Sequence, residues 1–82
     1  MTIENAIKAG ELAKKLKYVI DALHTAKDAR TYAFRHGDSF EVRFGEYSVE
    51  EVPRDIAVEA IELIIKRLEG ECNKIEAEIK AM

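Results

Sequence analysis

Apolar residues recur at alternating spacings of three and four along the first third of the chain. The positions that share this spacing are Ala9, Leu12, Leu16, Val19, Leu23 and Ala26. In an α-helix, this spacing places side chains on a single stripe. Thr2 precedes the pattern and is a residue type that caps helix N-termini. The pattern therefore predicts a long N-terminal helix over about 3–28.

The period changes from helical to alternating in the middle of the chain. Aromatic or apolar residues occupy every second position, at Tyr32, Phe34 and His36 and again at Phe40, Val42 and Phe44. Such alternation is typical of strands with one apolar face. A three-residue loop at 37–39 and a two-residue turn at 45–46 keep the apolar side chains on one face. The resulting pairs are Phe34 with Val42, Val42 with Val49, and Phe44 with Tyr47. We therefore expect a small antiparallel β-meander of three strands over about 31–50.

The last third of the chain has the most regular pattern. Its apolar residues follow spacings of three and four without a break, at Val58, Ile61, Ile65, Leu68, Cys72, Ile75, Ile79 and Met82. This heptad seam predicts a long coiled-coil helix over about 54–80. A second apolar flank is confined to the first half of that helix, at Ile56, Ala60, Leu63 and Ile64. We expect this half to be buried on two sides, against the sheet and the first helix.

The predicted fold is α+β, with one domain over 1–82 and two long helices on either side of a small sheet. Helices of about 26 residues span roughly 39 Å, more than twice the length of a short strand. The sheet therefore covers only one end of the helices. The seam closes either on the first helix of the same chain or on a second chain. The narrow apolar seam and thin core of so short a chain favour self-association, so we expect a homo-oligomer whose interface is the seam.

Composition excludes several classes of protein. Hydrophobic residues make up 48% and charged residues 35%, which is a folded rather than a disordered composition. One cysteine and two histidines supply neither a disulfide framework nor a four-ligand zinc site. No apolar run is long enough to span a membrane, and no secretory signal is recognisable, so we expect a cytoplasmic protein. A net charge of −3 argues against a general nucleic-acid binder.

No catalytic motif is present, and we expect no enzymatic activity, cofactor or metal. The phosphate loop, the nucleophile elbow and the metalloprotease helix are all missing from the sequence. Cys72 falls on the seam, where a small buried hydrophobe is the expected role. The candidate chemistry is therefore binding.

Arginine is concentrated in the middle of the chain, where lysine is absent. No lysine occurs between Lys27 and Lys66, and four of the five arginines lie in that interval. Arginine pairs bidentately with phosphate or carboxylate and stacks on aromatic rings. The candidate binding residues are Arg30, Tyr32, Arg35, His36, Arg43 and Tyr47. They predict either a site for an anionic nucleotide at a subunit interface or ordinary cross-strand pairing, in which Arg35 and Arg43 share a face with Glu41, Ser48 and Glu50.

Two resemblances add to this interpretation. The order of helix, compact sheet and helix resembles a shortened prefoldin subunit, which implies a chaperone-like scaffold. The stretch VEEVPRDIAVEAIELIIKRLEGECNKIEAEIKAM resembles small accessory proteins of bacteriophages and prophages. That resemblance implies a protein that acts by binding in the host cytoplasm, either on a host protein or as an inhibitor of host defence that sequesters a nucleotide signal. We therefore expect a homo-oligomeric binding protein.

Overall fold

In the computed structural model, which describes residues 2–82, the chain forms a helix, a β-hairpin and a second helix. Helix α1 spans Ile3–Arg35, and the two antiparallel strands are β1, Ser39–Phe44, and β2, Tyr47–Pro53. Helix α2 spans Arg54–Lys80. This layout confirms the predicted α+β fold with a long helix on either side of a small antiparallel sheet.

Helix α1 is longer than predicted, and the first predicted strand of the meander is wrong. Residues 31–35 continue the helix, so the sheet has two strands instead of three. The helical spacing itself continues from Ala26 to Arg30 and Ala33, and Ala33 is only 2% exposed. Three alternating residues were therefore a weaker signal than the stripe that runs through them. At the other end, the Thr2 hydroxyl accepts a hydrogen bond from the Asn5 N–H at 3.1 Å, as predicted for a cap.

The segment predicted as a three-residue hairpin loop instead ends α1. The His36 N–H donates to the Tyr32 carbonyl at 2.9 Å and closes the last turn. Gly37 follows with a φ of 73°, the left-handed conformation that glycine commonly supplies just beyond a helix. The chain then leaves the helix axis and enters β1.

The second predicted turn and its register are confirmed. Val42 lies opposite Val49, and Phe44 lies opposite Tyr47. Gly45 has a φ of 61° at the first position of the turn, which fits the type II′ preference. Further along, a β-bulge interrupts the ladder between the Phe40–Val52 and Val42–Val49 pairs. Glu51 lies in this bulge with a φ of 57°, an uncommon conformation for a residue other than glycine.

The seam of α2 closes on α1 of the same chain. The two helices run antiparallel, and Lys15 on α1 forms an ion pair with Glu71 on α2 at 3.5 Å. Ile65, Cys72 and Ile75 are buried in this contact, at 4%, 8% and 1% exposure. The other seam residues are half-buried at Val58, Ile61, Leu68 and Ile79, and Met82 is exposed at the end. The prediction that Cys72 packs as a small buried hydrophobe is confirmed.

The molecule is long and thin. Its extents are 53 × 24 × 15 Å, and its radius of gyration is 16.7 Å. A compact domain of this length has a radius of gyration of about 12 Å. The two helices thus form a single layer, and only the hairpin at one end adds to it. Along the rest of their length, both faces of the helix pair are open.

Candidate binding surface

One face of the hairpin extends past the helices that support it. Val42, Phe44, Tyr47 and Val49 share this face, because residues opposite each other and residues two apart in a strand point the same way. Val42 is half-buried above α2, whereas Phe44 and Tyr47 are 68% and 74% exposed. The hairpin therefore covers the helices at its base and leaves its apolar tip uncovered.

Beneath the base of the hairpin lies an apolar cavity of about 440 Å³. Its floor is made of alanines from both helices, at Ala29, Ala33, Ala57 and Ala60. Tyr32, Phe40, Val42, Ile61 and Ile64 form most of its walls, and Glu41 is the charged residue at its edge. The small floor side chains do not fill the space between the hairpin and the helix pair. The result is a concave site of the size and polarity that proteins use to bind apolar groups.

The second apolar flank of α2 continues this surface. It was expected to be buried, yet Ile56, Leu63 and Ile64 are 53%, 58% and 51% exposed. Of these three residues, Ile64 alone lines the cavity beneath the hairpin. We call the overhang surface the set of exposed apolar side chains on the hairpin tip and this flank. Its members are Phe44, Tyr47, Val49, Ile56, Leu63 and Ile64.

The arginines predicted to form a site do not share one surface. Arg30 is half-buried on α1, whereas Arg35 is exposed at its last turn. Five residues separate them, which is about 140° around the helix axis. Arg43 lies on the opposite face of the sheet from Tyr47, since Tyr47 is paired with its neighbour Phe44. An anion bound beside Arg35 at the end of α1 would thus contact different side chains from an anion bound beside Arg43 on the hairpin.

Two of the candidate residues do lie together. The rings of Tyr32 and His36 are 4.5 Å apart between centroids, one turn apart on α1. Phe40 of β1 packs edge-on against Tyr32 at 6.2 Å. This aromatic group joins the C-terminal end of α1 to the hairpin, and Tyr32 remains 58% exposed. Its evident effect is to position the hairpin above the cavity.

The outer face of the hairpin carries a polar network. The Glu41 carboxylate accepts hydrogen bonds from the Ser48 hydroxyl and from Arg43 Nη2, the latter at 3.1 Å. The hydrogen bond from Ser48, followed by that from Arg43, lowers the pKa of Glu41 below its ordinary value. These residues are the ones expected to share a polar face. Only the bond from Ser48 crosses from β2 to β1, whereas Arg43 pairs with Glu41 within β1 itself.

Arg54, which the sequence grouped with the other arginines, joins the two ends of the hairpin. Its Nε and Nη2 atoms donate to the Gly37 carbonyl at 2.9 and 2.6 Å. Nη2 also donates to Asp38 Oδ1 at 2.9 Å, and the Arg54 N–H donates to the Asp38 carbonyl at 2.9 Å. Sequence alone offered no signal for this role, because the partner is a backbone carbonyl in a loop.

Among the described residues, no group of three or more histidine, cysteine, aspartate or glutamate side chains is arranged to hold a metal ion. No helix in residues 2–82 is both long enough and apolar enough to cross a membrane. Comparisons with family models, curated proteins and solved structures find no match to this chain. The inference of function therefore rests on the geometry of the chain.

Proposed function

We propose that this chain is a non-enzymatic, homo-oligomeric binding protein. The observation that carries the proposal is its excess of exposed surface. The chain exposes 6665 Å², whereas a compact monomer of 9.3 kDa exposes about 5,000 Å². The difference, about 1,700 Å², exceeds the roughly 800 Å² that one partner buries in a standard interface. It falls in the range that each partner buries in an obligate homodimer.

The layer structure of the fold supports the same proposal. Domains are stable when two or more layers of secondary structure enclose a core. Here one layer of two helices is covered at one end only, and the apolar overhang surface is open. A second chain would supply the missing layer. Small proteins with thin cores commonly gain stability in this way.

The proposed recognition surface is the outer face of the hairpin, and its target is another protein. The network of Glu41, Arg43 and Ser48 presents both charges and a hydroxyl on an exposed rigid ladder. The phage-type role on a host protein remains a proposal that rests on the resemblance of the last 34 residues alone. Sequestration of a nucleotide stays the alternative, although Arg30, Arg35 and Arg43 do not converge on one surface.

Native mass spectrometry on protein purified directly from cells tests the proposal. We expect a defined multiple of the 9.3 kDa chain, with no additional bound mass. An oligomer that carries the mass of one nucleotide per site would favour the sequestration alternative instead. A clean monomer at micromolar concentration would contradict the assembly proposal.

A further inference from the structure

The geometry points to one interface for this assembly: the overhang surface binds the overhang surface of a second copy across a two-fold axis. In this arrangement, the hairpin tip of each copy enters the apolar cavity and lies along the α2 flank of its partner. The inference rests on the proposed homo-oligomer and deepens it by naming the surface and the occupant.

The overhang surface and the cavity beside it offer both halves of a contact. A two-fold interface requires self-complementarity, because each patch meets its own copy. The hairpin tip supplies protruding aromatic groups at Phe44 and Tyr47. The alanine-floored cavity of about 440 Å³ supplies the concave site, and Ile64 lies at its edge. Aromatic side chains inserted into apolar pockets are the usual energetic centres of protein interfaces.

The overhang surface is free for a partner, whereas the seam is not. The seam expected to form the interface is already occupied by α1, since Ile65, Cys72 and Ile75 are each under 9% exposed. The overhang surface instead holds six large apolar side chains that are all more than half exposed. Large apolar patches are rarely left exposed on monomeric proteins. The surface area that the chain exposes in excess is of the size that such an interface buries.

Charged side chains lie at the edge of the overhang surface. Glu46 lies in the turn next to Tyr47, and Arg67 lies one turn beyond Leu63 and Ile64 on α2. Both side chains are exposed. Glu59 lies one turn before Leu63, so the register that places Glu46 of one copy beside Arg67 of the other is the one that avoids this like charge. Opposite charges at the rim would then fix the register of an otherwise apolar contact.

Charged substitutions in the two halves of the contact test the inference, with native mass as the readout. We expect Tyr47→Glu and Leu63→Glu to convert the oligomer to monomer, because each buries a carboxylate in the interface. Tyr18→Glu and Ile7→Glu are matched controls on α1, since these side chains are similarly exposed at 82% and 59%. The controls should retain the mass of the wild type.

The outcomes separate this inference from the proposed function. A wild-type oligomer whose mass survives both Tyr47→Glu and Leu63→Glu would overturn the interface and leave the assembly proposal intact. Equal dissociation by the Tyr18 and Ile7 controls would also overturn it. A monomeric wild type would contradict both the assembly proposal and this interface. The overhang surface would then have to bind a different partner. Circular dichroism of each variant identifies any loss of mass that follows from unfolding.

A photo-crosslinking residue in place of Tyr47 gives a second test that adds no charge. We expect a covalent dimer whose crosslink maps to positions 57–64 of the other chain. Labelled and unlabelled chains, mixed before irradiation, distinguish crosslinks between copies from those within one copy. Crosslinks confined to one chain, or mapped to the outer face of the hairpin, would contradict the proposed interface.

Discussion

The Glu41 carboxylate is the centre of a hydrogen-bond network on the outer face of the hairpin. Ser48 donates to it from the opposite strand, and Arg43 donates from two residues along the same strand. Alternation in the sequence was enough to predict that these three residues share a face. The bulge at Glu51 was not predictable in this way, because one extra residue in a strand leaves no mark on so short a pattern.

We predict that Ser48→Ala raises the pKa of Glu41 toward its ordinary value, because the hydroxyl stabilises the ionised form. The pKa is lowered in the folded chain, so the contribution to stability is present above the unfolded pKa. It is lost as the pH falls through the folded pKa. Carboxyl carbon chemical shifts followed from neutral to acid pH measure the change. Ser39→Ala, in the same strand as Glu41, is the control. A Glu41 pKa that is unaffected by Ser48→Ala would contradict the network.

At the scale of elements, the two helices were predictable and the junction between them was only partly so. The stripe of α1 and the heptads of α2 extend over many turns, so a few exceptions do not disturb the pattern. Residues 31–36 are different, since a stripe and an alternating pattern overlap there and both fit the same few residues. Burial of Ala33 against α2 decides between them, and this contact depends on tertiary packing rather than on local spacing.

The junction itself depends on Arg54, which ties the first turn of α2 to the loop that follows α1. We predict that Arg54→Ala lowers the free energy of unfolding by about 1 kcal/mol, because the exposed ion pair to Asp38 adds little to the charged hydrogen bonds to Gly37. Arg54→Lys should lose part of this, since an ammonium group lacks the planar fork that reaches both acceptors. Urea unfolding measures these differences.

The control for this prediction is Lys66→Ala, an exposed cation on the same helix that makes no hydrogen bond or ion pair with the other described residues. Its effect on stability should be small. If Arg54→Ala were as mild as Lys66→Ala, the junction would be held by the strand ladder and the packing of Phe40 alone. The hairpin position above the cavity would then not depend on the arginine.

At the scale of the whole molecule, the decisive question was which chain occupies the seam. The sequence left the two answers open, because a heptad pattern describes one helix face and not its partner. The antiparallel helix pair closes the seam within the chain and leaves the second flank of α2 exposed. The sequence therefore predicted the apolar stripes of the two helices but could not assign each to the fold or to an assembly. That assignment depends on how far the hairpin reaches along the helices.

Two isoleucines, Ile75 buried on the seam and Ile3 exposed on α1, test whether the seam closes within the chain. Ile75 is 1% exposed on the seam, and Ile3 is 81% exposed at the start of α1. Ile75→Ala removes buried methylene and methyl groups and leaves a cavity, so it should lower the free energy of unfolding by about 2–5 kcal/mol. Ile3→Ala should change it by less than about 0.5 kcal/mol.

Urea unfolding, with native mass in parallel, separates the two explanations of the seam. A seam closed within the chain predicts that Ile75→Ala loses stability while the surviving folded chains keep their mass. A seam shared between chains predicts that mass and stability are lost together, and that result would show that α1 and α2 of one chain are not each other's partners.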